Sequence, residues 1–443
     1  MRNPLLEMVE KRKAGIHCGI PSFCCANKLV IEAILDQAKR FDDTVLIEAT
    51  SNQVNQMRGY TGMNPSEFHD YVYEIADKIH FSRDKIILGG DHMGPLPWVE
   101  LPEEQAMQNA EELVRACVRA GYQKIHLDTS MRLGDDPTDR PLPDSVIAAR
   151  GARLYEACEK EFRLVLLKDA SAIHPVYVIG SEVPIPGGAQ DEKETLQITT
   201  PERFEKTLLA YHQKFAELGL ADAWQDIIAM VVQPGVEFGN REIHHYDRIE
   251  AHMLCQELRK FPDIVFEGHS TDFQSPGKLR EMVEDGIAII KVGPALTFAM
   301  REALFALAHM EDELILQPDK RSNFIHVLDD VMQRDPKKWE KYYYGPEAEQ
   351  LLDRRYSFSD RSRYYFMSKE IERSMEKLFD NLKSVEIPMG MLHQYMPLQY
   401  IKVRDGNLRL DPRELVKDSV VSLVEDYNYA VKYNYITGGI FVR

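Results

Sequence analysis

The chain has 443 residues, 44% of them hydrophobic and 28% charged, a globular balance that excludes collagen-like, low-complexity and disordered classes. Its length suits one large α/β barrel of about 250 residues with an extension, or two to three ordinary domains. With 54 Lys and Arg against 71 Asp and Glu, the formal charge is −17. That excess argues against broad electrostatic binding to nucleic acid or an anionic membrane, so a phosphorylated substrate has to be held by local donors.

The opening MRNPLLEMVEKRKAG mixes charge with apolar residues and lacks the apolar core and cleavage site of a secretory signal. No apolar run approaches the roughly 18 to 20 residues needed to span a bilayer. Cys18, Cys24, Cys25, Cys117, Cys158 and Cys255 form no C-x-x-C pair and no disulfide-dense pattern, so a reducing cytoplasm is the expected location.

Short apolar runs, the signature of strands covered on both faces, recur at 15–20 (GIHCGI), 44–49 (TVLIEA), 85–90 (KIILGG) and 124–128 (KIHLD). They continue at 175–182 (PVYVIGSE), 227–233 (IIAMVVQ), 264–268 (IVFEG) and 287–292 (IAIIKV). Between them lie helical periods around 28–40, 65–79, 106–118, 144–160, 201–218, 247–260 and 276–284. Strand then helix, eight times, predicts a TIM (β/α)8 barrel over 1–312, with an open doubly wound sheet as the alternative. From 313 the rhythm changes to charged and aromatic helical spacing (KKWEKYYYG, RRYSFSDRSRYYF), which predicts a mostly helical C-terminal extension over 313–443 packed on the barrel.

In a barrel so placed, the ionisable residues at the strand ends converge on one mouth: Glu48, Asp91 with His92, His126 with Asp128, Glu182, Gln233 with Glu237, His269 with Asp272, and Lys291. So many carboxylates close together are costly to bury without a cation. Imidazoles of His92 and His269 with oxygen ligands from Glu182, Gln233 or Glu237 suit zinc or manganese, with a position left for substrate. There is no G-x-x-x-x-G-K-[ST] loop, no G-x-G-x-x-G after a strand and no G-x-S-x-G elbow, which weakens kinase, dehydrogenase and serine hydrolase readings. Cys24 and Cys25 read as inert packing thiols. The basic, aromatic SDRSRYY at 359–365 reads as packing in preference to anion binding.

Longer motifs carry a resemblance: VLIEATSNQVNQMRGYTGM (45–63), ILGGDHMGP (87–95), KIHLDTSM (124–131), SEVPIPGG (181–188), VVQPGVEFG (231–239), GHSTDFQ (268–274) and KVGPALTFAMREALFALA (291–308). With SDRSRYY and IPMGM, the chain resembles the GatZ/KbaZ-type subunit of D-tagatose-1,6-bisphosphate aldolase over nearly its whole length. The resemblance implies a relation to class II, metal-dependent aldolases. Asp91 and His92 match their catalytic Asp and first metal-binding His, and His269 with Ser270 matches the last metal-binding His. Asp128 and Glu182 match acidic residues lining the site. Where that class has a second metal-binding His after the sixth strand, this sequence offers Gln233 and Glu237, and Pro294 stands in the stretch corresponding to the phosphate loop.

The expected catalytic residues are therefore Asp91, Asp128 and Glu182, and the expected metal ligands are His92, His269, Gln233 and Glu237. Substrate contacts are expected from Glu48, His126, Ser270, Thr271, Asp272 and Lys291. The expected chemistry is metal-dependent cleavage of a ketose at C3–C4, or C4 epimerisation, on a tagatose- or fructose-type ketose or its phosphate. The alternative is a noncatalytic partner that stabilises a separate class II aldolase subunit. Either reading implies an oligomer.

Overall fold

The computed structural model describes residues 2–180 and 196–432. Its strands run in chain order as β1 (Ile20–Cys24), β2 (Val45–Thr50), β3 (Ile86–Asp91), β4 (Lys124–His126), β5 (Val176–Ile179), β6 (Ile227–Val232), β7 (Glu237–Phe238), β8 (Ile243–His244), β9 (Val265–Gly268) and β10 (Ile287–Val292). Strands β7 and β8 form a small antiparallel hairpin. The other eight pair in parallel in the cyclic order β1-β2-β3-β4-β5-β6-β9-β10 and close a barrel, which is the TIM architecture.

The helices of the outer layer are α1 (Pro4–Lys13), α2 (Lys28–Phe41), α3 (Pro65–Lys78), α4 (Glu103–Arg119), α5 (Asp144–Leu166), α6 (Pro201–Glu217), α7 (His252–Leu258), α8 (Pro276–Asp285) and α9 (Pro294–Leu314). Their starts follow from capping chemistry: Asn27 and Asn64 accept from first-turn N–H groups, and Pro65, Pro201, Pro276 and Pro294 stand where a helix can spare an N–H.

The first strand differs from expectation. The GIHCGI run at 15–20 is exposed over its first half and half-buried over its second, and pairing begins at Ile20, with Ser22 opposite Leu46 of β2 and Lys291 of β10. The reason lies in α1, whose Leu5, Met8 and Val9 pack with Leu46, Ile87, Val176, Val265 and Ile289 to plug the barrel floor. The stretch after α1 is consumed in climbing from that plug: Gly15 ends the helix with φ +84, and an added Cβ on Gly19 would lie 2.3 Å from the Ala288 carbonyl oxygen.

The C-terminal part is helical: α10 (Phe324–Arg334), α11 (Glu347–Tyr356), α12 (Lys369–Lys383), α13 (Met389–Tyr395), α14 (Pro397–Arg404) and α15 (Pro412–Val431). The expected division at 312/313 falls in the last turn of α9. Helix α15 lies against the barrel beside β1. Lys417 pairs with Asp36 of α2 at 2.6 Å, the Tyr429 carbonyl accepts from Arg280 of α8 at 3.1 Å, and the Tyr427 ring meets Phe23 edge-on at 6.5 Å. Among the described residues, no helix is long and apolar enough to cross a membrane.

Candidate active site at the barrel mouth

Alternation along the strands sorts the barrel interior into layers. Above the apolar floor, successive inward positions carry Ser22 and Cys24 on β1, Glu48 on β2, Asp91 on β3, Lys124 and His126 on β4, Glu267 on β9, and Lys291 on β10. All but the half-buried Cys24 are buried. Charged groups at such depth must be partnered. Lys124 Nζ lies 2.8 Å from Glu48 Oε1 and 2.8 Å from Glu267 Oε2. Lys291 Nζ bonds Glu48 Oε2 and lies 3.0 Å from Asp91 Oδ1 and 3.7 Å from Glu267 Oε1. Ser22 donates to Glu48 Oε2 at 2.5 Å. Gly89 makes room for this lattice, since a Cβ there would lie 2.3 Å from Glu48 Oε1.

Electrostatics fix the charge states. Burial alone would raise the Asp91 carboxyl, but His92 and Lys291 outweigh it and hold Asp91 well below the usual carboxylate range. Glu48 and Glu267 are likewise lowered against burial by Lys124 and Lys291. Lys291, which burial would neutralise, is raised by Asp91, Glu48 and Glu267 and stays an ammonium.

Above the lattice, ligand atoms of Asp91, His92, His126 and His269 all lie within 4.8 Å of one another. The imidazole centroids are 4.9 Å (His92 to His269), 5.0 Å (His92 to His126) and 5.4 Å (His126 to His269) apart. One nitrogen of each ring is held by an outer acceptor: His92 Nδ1 by Asp128 Oδ2 at 2.7 Å, His126 Nε2 by the Gly180 carbonyl at 3.0 Å, and His269 Nε2 by Glu267 Oε1 at 2.9 Å. Such outer acceptors orient metal-binding imidazoles and raise their basicity. Burial lowers His269 to about 4, which keeps it neutral and able to ligate. Nδ1 of His126 accepts the His92 amide proton at 3.3 Å yet lies 3.2 Å from the ionised Asp91 Oδ1. The three imidazoles and one carboxylate thus fit a divalent metal ion.

Local backbone puts these groups in place at a cost. His92 and Ser270 both adopt left-handed conformations, at φ 48 and 52, each worth about 1–3 kcal/mol of strain. Gly94 allows the loop after β3 to approach β4, where a Cβ would meet the Asp128 carbonyl oxygen at 1.7 Å. Asp128, pulled to about 2 against burial by His92, also accepts from the Ser130 hydroxyl at 2.9 Å.

A cavity of about 120 Å³ opens on this group, lined by Asp91, His92, His269, Ser270, Asp272 and Lys291 from the barrel. Its roof includes Tyr60 of the loop after β2, and Arg363, Tyr364 and Phe366 of the C-terminal part. Several residues expected from the sequence are engaged in local structure. Gln233 Oε1 accepts from Gly235 N at 2.8 Å and Val236 N at 3.0 Å, shaping its own loop. Glu237 sits on β7, bonded to Phe238 N at 3.0 Å, outside the four-residue group. Thr271 donates to the Lys291 carbonyl at 2.6 Å, and Asp272 Oδ1 caps the loop into α9 through Gly293 N and Ala295 N. Glu48 serves the ionic lattice, and Glu182 lies outside the described residues.

Reasoning from sequence missed Lys124 and Glu267 altogether. Each is a charge at an inward position of an otherwise apolar strand, in KIH and VFEG, and that intrusion was the available signal. It also gave His126 a substrate-binding role, whereas the structure places it in the metal-competent group.

A closed parallel barrel with a buried imidazole and carboxylate group at the C-terminal ends of its strands defines the class of TIM-barrel proteins able to hold a divalent metal ion. The chain matches, over residues 5–432, the model described as D-tagatose-1,6-bisphosphate aldolase subunit GatZ/KbaZ-like, and it belongs to that family. Among solved structures, a probable tagatose 6 phosphate kinase from Sinorhizobium meliloti 1021 is 43% identical with a TM-score of 0.84, covering 94% of this chain and 100% of that one. The YdjI aldolase from Escherichia coli K12 is 12% identical with a TM-score of 0.41, covering 87% and 100%, a likeness too slight to bear on function.

Proposed function

We propose that the barrel mouth performs metal-dependent retro-aldol and aldol chemistry at the C3–C4 bond of a tagatose- or fructose-type ketose or its phosphate, giving cleavage or C4 epimerisation. The observation that carries this reading is the convergence of Asp91, His92, His126 and His269 within 4.8 Å, beside a cavity that also exposes Lys291. A divalent ion held by the imidazoles of His92, His126 and His269, zinc by its preference for imidazole or else manganese, would supply Lewis-acid polarisation of the ketose carbonyl and leave Asp91 free beside it.

The chain's own groups do the rest. Asp91, kept ionised by the Lys291 ammonium at 3.0 Å, takes the proton of the C4 hydroxyl as the C3–C4 bond breaks and its electron pair enters the developing enediolate. Returning that proton to the C4 oxygen after reattack on the opposite face of the aldehyde completes epimerisation; escape of the aldehyde, followed by protonation of the enediolate at C3 with release of the ketone fragment, completes cleavage. Lys291 presents a fixed positive charge toward the oxygens that gain electron density. Asp128 positions His92, and Ser270 offers its hydroxyl to the substrate. Glu182 is a second acid–base group on sequence grounds. Tyr60, Tyr364 and Phe366 keep water from the intermediate. The six free cysteines agree with a cytoplasmic location.

The test is an assay of the purified chain loaded with zinc or manganese, on tagatose 1,6-bisphosphate and on free fructose. Triose phosphate or tagatose as product supports the reading; neither product, with either metal, defeats it. The family description favours a second reading, a stabilising partner in an oligomer with a class II aldolase subunit. It predicts activity only in the mixture, unaffected by Asp91→Asn. The name of the Sinorhizobium meliloti relative raises phosphoryl transfer to tagatose 6-phosphate, although this sequence carries no nucleotide-phosphate loop of the G-x-x-x-x-G-K-[ST] type. An ATP arm in the same assay separates it.

A further inference from the structure

The SDRSRYY stretch, expected to serve packing, supplies part of the cavity roof. Its turn (Arg361–Tyr364) is fastened to the barrel by Asp360, whose Oδ2 accepts from Arg301 of α9 at 2.8 Å while Oδ1 accepts from Ser362 N at 2.9 Å and its hydroxyl at 2.6 Å. Arg301 is 1% exposed and its guanidinium lies 4.4 Å from the Phe298 ring centroid, so the anchor is rigid. What it holds in place is Arg363, which lines the same cavity as Asp91, His92 and Lys291.

Arg363 lacks a carboxylate partner among the described residues. Its donors go to the Asp360 carbonyl oxygen at 2.5 Å and the Tyr364 hydroxyl at 3.0 Å, and its guanidinium lies 4.5 Å from the Tyr364 ring centroid. The deeply buried Arg150, Arg301 and Arg354, by contrast, each bond a carboxylate: Asp136 at 2.8 Å, Asp360 at 2.8 Å and Asp329 at 2.6 Å. The charge of Asp360 is already spent on Arg301 and Ser362. Lys338 Nζ, 5.6 Å from the Tyr60 ring centroid, adds a second cation behind the roof. A fork of N–H donors that bonds no carboxylate among the described residues, lining the cavity in a protein of net charge −17, is the local donor an anionic ligand needs.

We propose that Arg363 is the counter-charge for an anionic terminus of the substrate, a phosphate ester or a carboxylate, whose carbonyl end lies at the His92, His126 and His269 group; this rests on the ketose reading above. The C-terminal part then sets specificity for charged over neutral ketoses. Phosphate and carboxylate share the same bidentate chemistry toward a guanidinium.

The test is calorimetric binding to the full chain, stripped of metal so that no ion competes for the anion. The probes are inorganic phosphate, a ketohexose 6-phosphate, a 2-ketohexuronate and the neutral ketohexose. The expected result is tighter binding of one anionic sugar than of the neutral one, reduced about 10- to 100-fold by Arg363→Gln and partly recovered by Arg363→Lys. The anionic sugar that is preferred identifies the source of the charge. Unchanged thermal unfolding of Arg363→Gln shows that the variant is folded; if it does not fold, Arg363→Lys alone must weaken anion binding relative to neutral sugar. Phosphate binding that depends on Arg363 while no ketose binds, either to the stripped chain or after zinc is restored, would retain the anion site and defeat the ketose reading. No preference for either anionic sugar, or a preference that Arg363→Gln leaves intact, overturns the proposal.

Discussion

Asp128 Oδ2 accepts the Nδ1 proton of His92 at 2.7 Å, tying the residue that follows β3 to the loop that follows β4. His92 is strained, at φ 48, and this bond fixes its ring so that Nε2 lies 3.7 Å from Asp91 Oδ2. The relationship makes Asp128 a positioning residue whose effect passes through the imidazole.

Asp128→Ala is therefore expected to weaken divalent metal binding by about 10- to 100-fold while leaving the chain folded. Asp128→Asn, which keeps an acceptor oxygen, should retain more of the affinity. Competition titration of zinc against a chromophoric chelator reads both. Equal affinity in wild type and Asp128→Ala would remove the orienting role.

The lattice beneath the metal group predicts strong coupling. Lys124→Met leaves Glu48 and Glu267, both 0% exposed, to share the single ammonium of Lys291, and should cost about 3–5 kcal/mol in denaturant unfolding. Adding Glu48→Gln and Glu267→Gln should recover much of that loss, since the two carboxylates that faced Lys124 then carry no charge while Lys291 keeps Asp91 as its partner. Additive losses across the three substitutions would mean that Lys124 does not serve as their shared counter-ion.

Glu237 gives a pH signature. Burial pushes its carboxyl from the usual 4.5 up to about 7, opposed only weakly by the Phe238 amide and the Ser270 hydroxyl. Below about pH 4 the group is protonated in both folded and unfolded chains. Between there and pH 7 the folded chain holds a proton that the unfolded chain releases, so Glu237 erodes stability as pH rises through that window. Glu237→Gln should thus raise the unfolding free energy at pH 8 relative to pH 5, by on the order of 3 kcal/mol at most. Guanidinium unfolding at the two pH values checks this; a gain equal at both would place the effect elsewhere.

Much of the barrel was legible in the sequence because parallel strands buried on both faces read as apolar runs: six of the eight expected runs overlap barrel strands by most of their length, and the run at 175–182 contains β5. GIHCGI misled because its apolar residues flank glycines in a partly exposed connector, while Pro21, a poor ladder donor, disguised the true strand IPSFC. Asp91, His92 and His269 stood out because each follows a buried strand directly. The third imidazole was harder to place, since alternation turns both Lys124 and His126 inward and their tasks separate only when Glu48, Glu267 and Gly180 are seen around them. Arg363 was out of reach, because nothing in the local pattern of SDRSRYY reveals which barrel loop it covers.

The central claim is that three imidazoles hold one cation beside Asp91. Metal analysis of the purified chain, by mass spectrometry on wild type and on His126→Ala, tests it most directly. The account predicts about one zinc or manganese ion per chain in wild type and its loss in His126→Ala with the fold intact. A chain that binds no divalent ion after zinc loading, or one whose ion survives His126→Ala undiminished, would contradict it.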